Sequence, residues 1–202
     1  MNPGYRMHMP LKDFFVRPPV AKLPGALREQ LPAADEPLGA VPVSPTGERW
    51  AVASRQALLL VGADGVESRD TWDTVDRGSW NGEERSFHLE WLEAQRPALQ
   101  LQVPLTLDGV DVDPDLFARV LRQRVESAIV HRVSEVLPSG NTANISVRRG
   151  ADGELYSVCA VQSGAGGRQR LALSDLSSTD LEAVRALESR ARDGVGLHTS
   201  GV

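Results

Sequence analysis

The chain has 202 residues, of which 41% are hydrophobic and 24% charged, and a formal net charge of −5. That length supports one sizeable core with room for an appendage, and the composition is ordinary for a globular protein. No apolar run approaches the roughly 18 residues of a helical membrane span, and the single cysteine, Cys159, excludes an internal disulfide.

Nine of the first 45 residues are proline, so this stretch cannot form continuous secondary structure. The opening residues, MNPGYRMHMPLKDFFVRPP, lack a basic region followed by an apolar one. They predict no secretory signal and, with the lone cysteine, a cytoplasmic protein. The first twenty or so residues read as a tail, mobile or draped over the domain. One short helix is expected from Pro24 to Leu31, with proline at its first turn and Leu27 and Leu31 one turn apart.

ERWAVASRQALLLVGA predicts two strands around a tight turn at Ser54–Gln56, followed by a turn at Ala63-Asp64-Gly65. Glu67–Trp72 and Thr74–Trp80 alternate weakly, and Asn81-Gly82 is a hairpin signal in which glycine would take the left-handed conformation. Ser86–Trp91 alternates strictly, with Phe87, Leu89 and Trp91 on one face, and Leu99–Val103 repeats the pattern. The tryptophans thus read as inward-facing residues of an antiparallel meander, with the charges between them on its wet face. Trp72 and Trp80 are also candidate interface anchors, because exposed aromatics dominate many binding surfaces.

Residues 113–133 predict one amphipathic helix of about five turns. Asp113 suits its N-cap, Pro114 its first position, and Leu116, Phe117, Val120, Leu121, Val125, Ala128 and Ile129 its apolar face. Capping also accounts for the acidic run Asp108, Asp111, Asp113 and Asp115. A calcium loop starting at Asp111 would need glycine and glutamate where Leu116 and Arg122 stand. Beyond Pro138-Ser139-Gly140, Asn144–Arg149 and Leu155–Gln162 form an expected hairpin, and Gly164–Gly167 a linker. A last helix opens at Ser178–Glu182, with Thr179 and Glu182 at capping-box spacing, and residues 193–202 should fray.

The order of seven short strands and then an amphipathic helix resembles a pleckstrin-homology-like (PH-like) barrel. The runs GERWAVASRQALLLVGADG, TWDTVDRGSWNGEERSFHLEW and DPDLFARVLRQRVESAIVHR look like the uncharacterised PH-like proteins of actinobacteria. The resemblance implies an α+β chain in three parts. Residues 1–38 form a proline-rich arm with a short helix, 39–133 an antiparallel barrel capped by its helix, and 134–202 a β-hairpin and helix packed on it. Lipid-binding members carry several basic residues on the loop joining the first two strands, whereas here that loop offers only Arg55.

Residues 39–112 carry −6 and residues 113–202 are neutral, which argues against nucleic acid or membrane as a partner. Arg148-Arg149 with Arg168 and Arg170 is a candidate basic patch, but stacking aromatics are missing nearby apart from Tyr156. His8, His88, His131 and His198 are too dispersed for a zinc site, and no cofactor is implied. Cys159 sits in the alternating run LYSVCAV, where a buried inert thiol is expected. No nucleophile, base or metal set converges by spacing, so the expectation is a non-catalytic protein-interaction module. Phe14 and Phe15 of the arm, Trp72, Trp80, Arg148 and Arg149 are its candidate contacts. The alternatives are an enzyme or ligand-binding site assembled only in three dimensions, or a weak nucleic-acid binder through the C-terminal arginines.

Overall fold

The computed structural model describes residues 19–164 and 170–197 as an α+β chain with three helices, whose sheets are built from antiparallel pairs. The predicted tail and most of the Gly164–Gly167 linker lie outside the described residues. The first sheet is a meander of β1 (Pro37–Pro42), β2 (Trp50–Ser54), β3 (Ala57–Gly62) and β4 (Gly65–Thr71). The second contains β5 (Val75–Asn81), β6 (Ser86–Trp91) and β7 (Leu99–Gln102). A short hairpin, β8 (Thr106–Leu107) and β9 (Val110–Asp111), leads to helix α2 (Asp115–Ala128). The short helix α1 is Gly25–Arg28.

Alternation along these strands sets the core. Ala51, Ala53, Leu58 and Leu60 of the first sheet face Phe87, Leu89, Trp91 and Leu101 of the second. Phe117, Val120, Leu121 and Val125 of α2 fill the space between them, with the Phe117 and Phe87 rings edge-to-face at 4.9 Å. Gly39 on β1 lets the helix approach closely, since a Cβ there would stand 3.1 Å from the Phe117 Cα. The opposite face of β2 and β3, with Trp50, Val52, Leu59 and Val61, packs under residues 21–31 around Leu27. This explains why the two strands are buried on both faces. Asp35, fully buried, anchors the incoming segment by accepting hydrogen bonds from the Ser54 hydroxyl (2.7 Å) and Arg69 Nε (2.6 Å).

The chain departs from the expected barrel between β4 and β5. Trp72–Thr74 forms a 3-10 turn rather than part of a strand, and carries the chain from the first sheet to the second. Among the described residues the strands form separate sheets and no closed barrel. The Asn81-Gly82 signal also resolves differently. The loop spans four residues, the Asn81 side chain accepts from the amides of Glu83 and Glu84, and Arg85 (φ 49°), not Gly82, is left-handed. The tight left-handed pair is instead Asp108-Gly109, between β8 and β9 (φ 50° and 76°).

The helix predicted over 113–133 stops at Ala128, and β10 (Ile129–Val136) follows directly. Ile129, Val130 and Val133 are β-branched, disfavoured in a helix at χ1, and gain backbone partners along β11 (Thr142–Arg149). With β12 (Leu155–Gln162) and β13 (Arg170–Leu171), these strands make a third sheet, so the predicted hairpin is its centre. Helix α3 (Ser178–Asp193) covers one face of this sheet, burying Val184, Leu187 and Ala191 against Ala143, Ile145 and Val147. Its cap is Ser177, whose side chain accepts from the Asp180 amide at 3.1 Å, in place of the expected Thr179–Glu182 box.

Candidate functional site

The third sheet turns its uncovered face toward the second, and the seam between them holds the side-chain hydrogen bonds of greatest sequence separation, 73 to 94 residues. Arg148 on β11 is completely buried. Its Nη1 donates to the carbonyls of Val75 (2.8 Å) and Asp73 (3.2 Å), and its Nη2 lies 3.5 Å from Asp76. Arg170 on β13 grips the other oxygen of Asp76 at 2.8 Å and donates to the Leu92 carbonyl at 2.8 Å. Tyr156 donates its hydroxyl to the Asp73 carboxylate at 2.6 Å. Burial, then that hydrogen bond, raises the Tyr156 phenol above its usual range. Burial likewise lowers the Arg148 guanidinium, opposed chiefly by Asp76, yet an arginine remains charged. The acidic middle of the chain is thus clasped by arginines of the C-terminal part.

Above this clasp lies an open cleft of about 480 Å³. Its floor is the free face of the third sheet, with Asn144, Ser146, Val158, Ala160 and Gln162, and its rims carry Arg77, Glu93 and Arg132. Arg132 forms no ion pair among the described residues, whereas Asp76 and Arg170 are committed to each other. A second cleft of about 280 Å³ opens on the other side of Asp73, between the β2–β3 turn, the end of α2 and the end of β11.

The sequence-predicted contacts divide between interior and surface. Arg148 is interior, and its burial removes it from any exposed basic patch. Arg149 is exposed and lines the smaller cleft together with Trp72, so two predicted contacts do meet. Trp72 is nevertheless buried, with its indole donating to the Ser54 carbonyl at 3.1 Å. Trp80 is half-buried, its ring centroid 4.4 Å from Phe87. Phe14, Phe15 and Arg168 lie outside the described residues. Asp73, Asp76, Tyr156 and Arg170 were not singled out as a unit by spacing, because their partners are 78 to 94 residues apart for Arg170 and 83 for Tyr156. The one available signal was the excess of carboxylates in residues 39–112 beside an arginine-bearing C-terminal segment.

His88 is exposed beside Glu90 at 3.6 Å, and His131 lies in β10 rather than at a helix end. Cys159 is half-buried in the contact between β12 and α3. Burial, then the Glu188 carboxylate, raises its thiol, which disfavours the reactive thiolate. Among the described residues, no helix is long and apolar enough to cross a membrane. No protein-family model, curated protein or solved structure matches the chain.

Proposed function

We propose that this is a non-catalytic protein–protein interaction module on a PH-like scaffold of the actinobacterial kind, acting in the cytoplasm. The order of four strands, three strands and a helix packed between the two sheets supports the PH-like reading, with the third sheet as an extension. The observation that carries the functional reading is the larger cleft. It is open, its floor on the sheet face combines small and amide side chains, and its rims bear charges of both signs. Such a mixed surface suits a segment of a protein partner, which needs polar complements along its backbone and side chains, better than a compact apolar ligand.

The test is affinity purification from the native cell with three forms: the full chain, a chain lacking residues 1–20, and the full chain carrying Arg132→Glu. A specific partner retained by the first and lost with Arg132→Glu supports the cleft as its seat. If no form retains a specific partner, the module reading is wrong. The truncated form reports separately whether the arm contributes.

A further inference from the structure

We infer that the smaller cleft is a binding site for a phosphate-class oxyanion carried by a small phosphomonoester. Its walls bring together Arg55 from the β2–β3 turn, Arg124 from α2 and Arg149 from the end of β11. None of the three forms an ion pair or side-chain hydrogen bond among the described residues. Several other arginines are matched to carboxylates, as in Arg69–Asp35, Arg96–Asp70 and Arg170–Asp76. The Nε of Arg124 is buried and lacks any hydrogen-bond partner. A buried guanidinium donor without an acceptor is costly, and it marks Arg124 as a cation for which the described residues supply no partner.

The carboxylates nearby do not supply that acceptor. Asp73 is the one acidic residue lining the cleft, and it accepts the Tyr156 hydroxyl at 2.6 Å. Glu154 packs beside Gly150 but does not line the cleft. The end of α2 adds Ser127 to the wall, its hydroxyl donating to the Gln123 carbonyl. Forked guanidinium donors match phosphate oxygens two at a time, and three arginines around one cleft suit a dianion better than a singly charged carboxylate. A volume of about 280 Å³ accommodates a phosphate and a small ester group. Trp72, buried along one wall, places an indole within the site as a reporter.

The experiment is calorimetric titration of the full chain with inorganic phosphate, glycerol phosphate and, as a chloride-matched control, sodium chloride. Saturable one-to-one binding of either phosphate is expected, with Trp72-sensitive fluorescence changing in step. Arg149→Ala and Arg55→Ala, both at exposed positions, should each weaken binding at least about tenfold, as expected for one charge-assisted contact. Arg132→Ala, in the other cleft, should leave it unchanged. Flotation with phosphatidylcholine vesicles bearing phosphatidic acid separates the sources: Arg149-dependent binding of vesicles alone would assign the phosphate to a lipid and overturn the small-ligand form. The site is also overturned if neither phosphate binds, or if binding is indifferent to Arg55 and Arg149. The partner reading of the larger cleft is untouched by either result, because the two sites share no arginine.

Discussion

Replacing Arg148 with methionine removes the centre of the seam while keeping most of its apolar stem. The substitution leaves the Val75 carbonyl without its donor at 2.8 Å, while the Asp73 carbonyl loses Arg148 at 3.2 Å but keeps the Tyr156 hydroxyl at 3.3 Å. Each unsatisfied buried acceptor costs about 1–3 kcal/mol. Asp76 keeps Arg170 at 2.8 Å and is partly exposed, so its loss is small, and relief of the buried charge offsets part of the rest. The net expectation is a loss of about 1–3 kcal/mol, which for a chain of this size lowers Tm by roughly 2–12 °C. Urea unfolding followed in two ways makes the assay specific. All four tryptophans lie at positions 50, 72, 80 and 91, ahead of the third sheet, so fluorescence reports the first two sheets while far-ultraviolet circular dichroism reports the whole chain. In the wild type the two curves should coincide; in Arg148→Met they should separate as the parts uncouple. Arg149→Met, at an exposed position, serves as control and should stay within about 0.5 kcal/mol. Equal stability of the two variants would refute the seam as a structural coupling.

Phe117→Ala should cost about 3–5 kcal/mol by urea midpoint, since the ring is fully buried against Phe87, whereas Leu116→Ala, 53% exposed, should cost little. Ser177→Ala should lower stability by about 1 kcal/mol through the lost α3 cap, with Ser178→Ala near neutral in the same denaturation series. The folded-state pKa of Tyr156 is raised, so its linked stability is complete below the unfolded phenol pKa of about 10 and is lost as pH rises beyond it. Tyr156→Phe should therefore flatten the alkaline fall of the urea midpoint, and an unchanged slope would count against the Tyr156–Asp73 bond. Alkylation of Cys159 at about pH 8 should run at least about tenfold slower in the native chain than in urea; equal rates would contradict its raised thiol.

Strand existence was legible wherever alternation met a buried face. Phe87, Leu89 and Trp91 pointed inward as their spacing required, and the expected strands at 144–149 and 155–162 pair as an antiparallel hairpin. Element ends were less legible where two signals competed. Ile129 continues the apolar stripe of α2, yet the β-branched run it begins is claimed by β11, a partner that spacing cannot reveal. The 3-10 turn at Trp72 was hidden for a similar reason: its indole hydrogen bond to Ser54 fixes the chain where local alternation suggested a strand. The candidate sites were least legible of all. Arg148 and Arg149 are neighbours in sequence and both read as basic surface, but alternation along β11 sends one into the seam and the other to a cleft.

The interaction reading is tested most directly by a photo-crosslinking amino acid placed at position 160, on the floor of the larger cleft, in cells of the native host. The account predicts a discrete protein adduct at this position that disappears when Arg132→Glu is added, and none from the same group at position 173, an exposed site away from the cleft. Absence of any adduct at position 160, or an adduct indifferent to Arg132→Glu, would contradict it.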